Sequence, residues 1–429
     1  MATIKPFLGI RPAKGKEKDI AALPYDVYNR AEAKEVVSDK PLSFLRIDRA
    51  ETNFSDDVDT YDERVYQKAH DLLWEMVERG DFVKEEKPVY YIYELTMEGR
   101  TQTGIVACAS IDDYENNVIK KHENTRADKE ADRIHHVDSC NAQTGPIFLA
   151  YRNRSDIDEV VTRTMKGEAL YDFTAEDGVR HRAFVIRDEK DISTIENSFS
   201  GCNEIYIADG HHRAASAVKV GLKRRKEHPD YTGEEEFNFF LSVLFPEEEL
   251  KILDYNRVVK DLNGYETSEF LTEVEKVADL IKSKDLSKDI IGSKDTKVIE
   301  KEALRPKQKG EFVMLLNNTW FLYRFKEELL STDPVDGLDV ALMQNLILEP
   351  ILGIKDPKTD QRIDFVGGIR GYKELWKRCE TDCVVAFGMY PTQISELFAV
   401  ADAGRLMPPK STWFEPKLRS GLFIHELDK

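Results

Sequence analysis

The sequence predicts a mixed α/β protein in which strands and helices alternate without a fixed order. Short β-rich runs bounded by turn residues are interspersed with segments whose apolar residues recur at helical spacing. One pair of runs has the pattern of an antiparallel hairpin, which is foreign to an all-parallel doubly wound sheet. With 429 residues, the chain is long enough for two or three domains.

The predicted strands are β-rich or alternate apolar with polar side chains. Residues 239–245 are almost wholly apolar, which predicts a central strand buried on both faces. Two hairpins are predicted, because a turn containing Gly99 separates one pair of runs and Asn317-Asn318, which tolerates positive φ, separates another. The predicted strands cover residues 43–48, 89–95, 104–111, 146–151, 181–186, 204–208, 239–245, 312–316, 319–325 and 384–389.

The predicted helices have apolar residues at helical spacing, and a glycine ends two of them. The charged segment 120–136 is expected to enter an exposed helix. The helical segments are residues 61–80, 120–136, 214–218, 339–352 and 394–403.

Three regions are predicted along the chain. Residues 1–260 form a mixed α/β region. Residues 261–310 are rich in lysine, aspartate and glutamate and predict a charged helical insertion or lobe. Residues 311–429 form a C-terminal α/β region.

Composition limits the function classes. Hydrophobic residues make up 41% and charged residues 33% of the chain, a balance typical of soluble globular proteins. The net charge of -18 disfavours a general nucleic-acid binder, whereas a small anion needs only a local positive pocket. No apolar run is long enough to span a membrane and no signal peptide is visible, so we expect a cytoplasmic protein without a membrane partner.

The run Asp209-Gly210-His211-His212-Arg213 is the strongest functional signal. It lies where a predicted buried strand passes through one glycine into a helix. Backbone N–H groups at a helix start attract anions, and Arg213 adds a planar fork for phosphate or carboxylate. The alternative is structural, with Asp209 as an N-cap, Gly210 as a turn and the histidines as solvated residues.

A proline-rich loop near the C-terminus is the second signal. Prolines restrict the backbone before Lys410, Ser411 and Thr412 and again before Lys417, which gives a preorganised loop with two amines and two hydroxyls. Such a loop suits phosphate binding. A rigid surface loop is the alternative, and neither a P-loop nor a dinucleotide fingerprint is present.

Three further residues are weaker candidates. Glu123 is predicted at a strand-to-helix boundary and suits a general base or a metal ligand. Asp26 follows a proline-restricted turn, and Arg46 lies at a predicted strand end; both are candidates for substrate binding. A charged helix and an ordinary turn explain these residues equally well.

Six short motifs along the chain carry a family resemblance: Leu23-Pro-Tyr-Asp-Val, Ser43-Phe-Leu-Arg, His122-Glu-Asn-Thr, Tyr206-Ile-Ala-Asp-Gly-His-His-Arg, Leu253-Asp-Tyr-Asn-Arg-Val-Val and Met407-Pro-Pro-Lys-Ser-Thr-Trp-Phe. With these motifs, the chain resembles the domain-of-unknown-function family 1015 (DUF1015) of bacteria and archaea over nearly its whole length. At a more distant level, the Asp209-Gly-His-His-Arg box is similar to that of the ParB/sulfiredoxin superfamily, particularly its free serine kinases.

The superfamily resemblance implies a ParB/sulfiredoxin-like core with a mixed sheet, in which the box holds nucleotide phosphates and a free amino acid supplies the acceptor hydroxyl. Sulfiredoxin chemistry needs a reactive cysteine in the box, where this chain has histidines, with Cys202 several residues upstream. ParB-like DNA binding needs a basic face, which this acidic chain does not suggest. The kinase chemistry therefore fits best.

The predicted function is phosphoryl transfer from ATP or ADP to free L-serine or a related metabolite. In this hypothesis Asp209 holds Mg²⁺ or orients a phosphate, Gly210 lets the backbone approach, and three residues neutralise the transferring oxygens: His211, His212 and Arg213. Glu123, or failing that Asp26, accepts the acceptor's proton, and the loop residues Lys410, Ser411, Thr412 and Lys417 close the phosphate end. The alternatives are a metal-dependent phosphohydrolase, with Asp209, His211 and His212 as ligands, and a nucleotide-sensing regulator.

Overall fold

The structure, a computed structural model, describes residues 1–286 and 296–428. The chain divides into two compact units. The first unit comprises Met1–Leu250 and Pro416–Lys429, and the second comprises Lys251–Glu415. The mixed α/β prediction is confirmed, because both units combine helices with a sheet and the sheet of the first unit is mixed.

The strands are, in chain order, β1 Ile4–Lys5, β2 Ile10–Pro12, β3 Phe82–Lys84, β4 Tyr90–Met97, β5 Arg100–Ser110, β6 Ile119–Lys120, β7 Ala142–Gln143, β8 Ile147–Tyr151, β9 Tyr171–Thr174, β10 Arg180–Ile186, β11 Ile205–Asp209, β12 Phe239–Pro246, β13 Ile252–Leu253, β14 Tyr255–Val259, β15 Ala278–Asp285, β16 Glu311–Leu316, β17 Thr319–Phe325, β18 Ile363–Gly367, β19 Val385–Met389, β20 Trp413–Phe414 and β21 His425–Glu426.

The α-helices are α1 Glu17–Ile20, α2 Arg30–Val37, α3 Leu45–Asp48, α4 Glu63–Glu78, α5 Ile111–Glu115, α6 Ala127–Cys140, α7 Ser155–Thr164, α8 Glu189–Ser200, α9 His211–Glu227, α10 Thr267–Val277, α11 Thr296–Glu302, α12 Asp339–Met343, α13 Tyr372–Thr381 and α14 Ile394–Asp402. Short 3-10 helices cover Tyr25–Val27, Ala50–Asn53, Glu236–Asn238, Glu247–Glu249, Glu327–Leu329 and Gly368–Arg370, and a π-helical turn covers Gln344–Leu348.

The first unit is built on a mixed sheet of nine strands, counted over the described residues, in the order β6-β11-β8-β12-β5-β4-β10-β9, with β1 beside β5. The pairs β6/β11 and β8/β12 are parallel, and the other pairs are antiparallel. Strand β12 lies inside this sheet and all eight of its residues are buried, which confirms the predicted two-sided strand. The predicted hairpin is also confirmed, since β4 and β5 pair across a turn at Glu98 and Gly99 with positive φ.

The second unit is built on an antiparallel sheet in the order β15-β17-β16-β19-β14-β18, and a separate pair joins β13 to β20. Its two faces carry separate apolar cores, one around Phe312 and Leu352 and the other around Val313 and Trp376. The predicted hairpin at residues 317–318 is confirmed, because both asparagines have positive φ and join β16 to β17.

Two predictions about the first unit are wrong. Residues 43–48 were expected to form a strand, but Leu45–Asp48 is a helical turn. Phe44 and Ile47 are both buried, and their spacing of three residues fits a helix. The alternation of polar and apolar residues over 43–48 fits a strand equally well, so the pattern was ambiguous. The charged segment before residue 140 is also less exposed than predicted, because Arg133 and His136 of α6 are buried.

The division of the chain differs from the predicted three regions. Residues 251–260 belong to the second unit, and residues 416–428 return to the first. Among the described residues of the charged segment 261–310, β15 pairs with β17 at the edge of the second sheet. Most side chains of β15 are exposed, and charged side chains are common on edge strands, which is consistent with the charged composition. Residues 287–295 of this segment lie outside the described residues.

None of the helices in residues 1–286 and 296–428 has the length and apolar composition that crossing a bilayer requires.

Candidate functional site

The topology of the first sheet explains why distant segments meet at one of its edges. Strands β6 and β11 are parallel, so His122 and Glu123, just after β6, emerge beside Asp209 at the end of β11. Strand β8 is antiparallel to β11, so the residue that precedes it, Pro146, lies at the same edge. The three segments therefore surround the start of helix α9.

The turn from β11 into α9 has the geometry that the sequence predicted. The pairing register shifts between Ile207 and Asp209, and such a bulge changes the direction of the following side chain. Gly210 is the N-terminal cap of α9 and has φ 92°, where a side chain is strained. An ideal Cβ at Gly210 would lie 3.2 Å from the guanidinium carbon of Arg213. Glycine is thus required both by the backbone and by the close approach of Arg213.

Asp209 is the anionic centre of the turn. Its Oδ1 accepts a hydrogen bond from the Gly210 N–H at 2.8 Å, and its Oδ2 lies 3.0 Å from the Lys417 Nζ. Burial disfavours the carboxylate, but Lys417 and Arg213 outweigh it and hold the pKa of Asp209 well below its usual range. Asp209 is therefore ionised at neutral pH.

Arg213 is fixed by a hydrogen bond to the backbone of the segment before β8. Its Nη1 donates to the Pro146 carbonyl at 2.6 Å. The cavity beneath it has a volume of about 30 Å³, which is enough for a water molecule but not for an organic ligand. Tyr25 and Arg133 line this cavity, and the Arg133 guanidinium stacks 4.1 Å from the Tyr25 ring. This cavity therefore has no room for an organic ligand.

Both histidines of the box are neutral hydrogen-bonding groups. His211 is 5% exposed and its Nε2 accepts from the His122 N–H at 3.4 Å, while the His212 Nε2 accepts from the Arg126 N–H at 3.0 Å. Each ring therefore carries its proton on Nδ1. Burial lowers both pKa values, that of His211 strongly. The predicted neutralising charge is thus supplied by Arg213 and Lys417, and the imidazoles contribute N–H donors.

His122 is a site residue that the motif analysis did not select. Its ring is 2% exposed and packs edge-to-face on His211, with centroids 4.4 Å apart. Neither ring nitrogen has a hydrogen-bond partner of normal geometry within the described part of the chain. Burial lowers the pKa of His122 to about 4, so this ring is also neutral. The sequence signal that could have selected His122 is its position directly after the strand β6. The sequence does not show that β6 pairs with β11, and this pairing is what brings His122 to the box.

The two predicted proton acceptors lie beside the histidines. The Glu123 Oε2 is 3.9 Å from the His211 Nδ1, and the Glu123 side chain is 45% exposed. Asp26 is exposed, and its negative charge raises the pKa of His212 against the effect of burial. Both carboxylates are thus near the start of α9 and accessible to a substrate.

The structure does not bring Arg46 into this group. Its guanidinium donates twice to the Asn53 Oδ1, at 2.8 and 3.2 Å, and Asn53 in turn donates to the Arg46 carbonyl. These bonds close the turn between α3 and the following 3-10 helix. The assignment of Arg46 to substrate binding stays a prediction without support from its contacts.

The predicted proline-rich loop is divided between the units. Lys417 belongs to the first unit and contacts Asp209, whereas Lys410, Ser411 and Thr412 belong to the second. The Ser411 hydroxyl is buried and donates to the Pro408 carbonyl at 2.6 Å, so its proton is not available to donate to a phosphate. Lys410 is exposed and has φ 59°.

The donor set fits Mg²⁺ only together with a phosphate ligand. Residues 1–286 and 296–428 contain no group of three or more His, Cys, Asp or Glu side chains that could hold a metal ion. Mg²⁺ is commonly bound by one or two carboxylates plus substrate phosphates, and Asp209 offers one such carboxylate. The arrangement therefore fits a metal ion that binds together with a nucleotide. It fits less well a metal ion held by Asp209, His211 and His212 alone.

A larger pocket of about 620 Å³ also lies in the first unit. Its lining includes Leu23, Tyr28, Lys40 and Arg419, but none of residues 209–213. Its size is that of small-molecule sites. The side chains of residues 209–213 therefore do not line this pocket.

Solved structures similar to this chain share little sequence with it. A point mutant of a free serine kinase, in complex with ADP, is 12% identical, with a TM-score of 0.36, and the match covers 77% of this chain and 93% of that one. SbnI with a C-terminal truncation, from Staphylococcus aureus, is 10% identical, with a TM-score of 0.35 and coverage of 72% and 82%. A conserved hypothetical protein from Pyrococcus furiosus is 14% identical, with a TM-score of 0.30 and coverage of 74% and 95%.

The family assignment comes from the sequence. No curated protein matches the chain. Residues 4–341 match the family model described as "Protein of unknown function (DUF1015)", and this span includes the strand, turn and helix of the site. The chain therefore belongs to the DUF1015 family.

Proposed function

We propose that the chain is a small-molecule kinase that transfers a phosphoryl group from ATP or ADP to the hydroxyl of free L-serine or a similar metabolite. The observation that carries this proposal is the group of Asp209, Arg213 and Lys417 at the end of a buried strand. Phosphoryl transfer depends mainly on positioning and on charge stabilisation around oxyanions, and this group offers both. Serine as acceptor rests on the resemblance of the box to that of the free serine kinases.

In this proposal, the cationic side chains hold the phosphates. Arg213 is fixed by the Pro146 carbonyl, so its remaining N–H groups are preorganised for an oxyanion at the start of α9. Lys417 is already drawn to the turn by Asp209 and can contact a phosphate without leaving it. The neutral His211 and His212 donate through Nδ1, and the positive φ of Gly210 lets the backbone approach closely.

The acceptor oxygen attacks the terminal phosphorus of the donor while the bond from that phosphorus to the bridging oxygen breaks. The products are the phosphorylated acceptor and ADP, or AMP where ADP is the donor. The hydroxyl proton passes to Glu123, which is exposed and faces the His211 Nδ1, or to Asp26. Bound Mg²⁺ would supply charge neutralisation for the phosphates, with Asp209 as its protein ligand.

Arg213→Ala tests this proposal directly. We expect nucleotide affinity, measured by calorimetry with ADP and magnesium, to fall at least tenfold, because charge-assisted hydrogen bonds contribute about 1.5–3 kcal/mol. Arg163→Ala removes an arginine that is 57% exposed in the same unit and is the matched control. Unchanged nucleotide binding and turnover in Arg213→Ala would contradict the assignment.

Substrate tests separate the kinase from the two alternatives. Phosphorus NMR on a panel of nucleotides and free amino acids should show a new phosphomonoester signal that depends on Asp209. Thermal stabilisation by divalent metal alone would instead support the phosphohydrolase, whereas tight nucleotide binding without turnover would support a regulator.

The choice of base has its own test. Glu123→Gln and Asp26→Asn preserve shape and remove the proton acceptor. The variant of the true base should lose turnover while keeping nucleotide affinity, and the other variant should retain both.

A further inference from the structure

Arg257, in the second unit, is a buried guanidinium with no anionic partner among the described residues. It lies on strand β14 and is 3% exposed. Its Nη1 donates to the Tyr255 carbonyl, and its Nη2 donates to the Lys410 carbonyl at 3.2 Å. Its guanidinium also lies 5.5 Å from the Phe365 ring centre. These neighbours are dipoles and a π-face, and none of them carries a negative charge.

The other buried arginines in the described chain show how unusual this is. Arg133, Arg224 and Arg419 are also less than 10% exposed, and each forms an ion pair with an aspartate. Arg257 forms no ion pair within residues 1–286 and 296–428. Burial lowers its pKa to about 10, and only the phenol of Tyr255 opposes that effect. A buried charge without a counter-charge is costly, which points to a partner that binds from solution.

The loop that Arg257 contacts is held in a fixed shape. Lys410 has φ 59°, an uncommon conformation for a residue with a side chain, and its Nζ lies 5.6 Å from the Tyr255 ring centre. The Ser411 hydroxyl donates to the Pro408 carbonyl, and the Thr392 hydroxyl donates to the Ser411 carbonyl at 2.9 Å. Lys410 thus offers its backbone carbonyl to the buried Arg257 guanidinium and keeps its own amine exposed.

We propose that Arg257 and Lys410 form an oxyanion site in the second unit, and that the oxyanion is a phosphate group. Arg257 has five N–H groups, of which two are bonded to carbonyls, and Lys410 supplies a flexible ammonium. Phosphate as the oxyanion rests on the proposed function; the presence of an anion site rests on Arg257 alone.

Inorganic phosphate is the probe, used with the full-length chain carrying Arg213→Ala to weaken the first unit's site. We expect phosphate to raise the melting temperature and to broaden its own phosphorus NMR signal, relative to sodium chloride at equal ionic strength. Arg257→Met and Lys410→Ala should each weaken the apparent phosphate affinity at least tenfold. Lys355→Ala, which removes an exposed lysine of the same unit, should leave it unchanged.

Equal phosphate affinity in the parent and in both variants would overturn the site. Lys410→Ala decides the matter if Arg257→Met does not fold, because Lys410 is exposed. Arg257-dependent binding of acetate as strong as that of phosphate would overturn the phosphate assignment. Phosphate binding that needs Arg257, in a chain without kinase turnover, would uphold this site and refute the proposed function.

Discussion

Replacing Lys417 with methionine tests the electrostatics of the candidate site. The substitution keeps most of the side-chain length and removes the cation 3.0 Å from the Asp209 carboxylate. Lys417 and Asp209 are 20% and 32% exposed, so the pair is neither a surface ion pair, contributing about 0–1 kcal/mol, nor fully buried, where losing one partner costs about 3–5 kcal/mol. We expect the free energy of unfolding to fall by about 2 kcal/mol at pH 7.5.

The pH dependence identifies the cause. The pKa of Asp209 is depressed in the folded protein, so its contribution is present above the unfolded value of about 3.9 and is lost as the pH falls through the folded pKa. Without Lys417, burial raises the pKa of Asp209, with Arg213 still opposing. The stability difference between wild type and variant should therefore be constant from neutral pH down to about pH 4 and shrink as the pH falls below that value.

The assay is thermal and urea unfolding at pH 7.5 and at about pH 3, below the unfolded pKa of an aspartate. A loss of about 2 kcal/mol corresponds to a decrease in melting temperature of about 4–8 °C for a unit of this size. Lys34→Met is the matched control, because its partner Asp56 is 85% exposed and the pair should contribute less than about 1 kcal/mol. Equal stability of the Lys417 variant and wild type at pH 7.5, or a difference that does not depend on pH, would refute the reasoning.

Three further outcomes follow from the geometry. Gly210→Ala should lower the free energy of unfolding by about 1–2 kcal/mol, because alanine at φ 92° is strained and its Cβ would crowd Arg213; equal urea midpoints would contradict this. Nucleotide affinity measured by calorimetry should not weaken as the pH rises from 6 to 8, because burial holds the pKa of His211 well below its usual range and keeps this ring neutral; a decrease with rising pH through 6.5 would mean that a histidinium binds the phosphate. Asn318→Gly should stabilise the second unit by about 0.5–1 kcal/mol, because glycine adopts φ 62° without strain; a less stable variant would show that the asparagine side chain matters more.

Local patterns predicted much of the fold. The apolar run at residues 239–245, the two hairpin turns and the strand-turn-helix around Gly210 all have the predicted form. Each depends on near neighbours, since turn chemistry and side-chain periodicity act over a few residues. The segment 43–48 failed because six residues are too few to separate a helical turn from a strand.

The candidate site was predicted in part. The box and Lys417 were selected, and the structure joins them through Asp209. His122 was quoted within a family motif but was not selected as a site residue, because its place in the site comes from the parallel pairing of β6 with β11, which links residues far apart in sequence. The charge of the histidines was also misjudged, because a pKa depends on burial and burial is a tertiary property.

By itself, the sequence determined the family, the mixed architecture and the chemistry of the strand-to-helix turn, because these are written in short motifs and local conformational preferences. Only the tertiary structure decided which charges meet. It placed Lys417 against Asp209 and put Lys410 in the other unit, and it buried Arg257 with no carboxylate partner in the described part of the chain. The reason is that long-range contacts and desolvation arise from packing, and packing is not encoded in the spacing of any one segment.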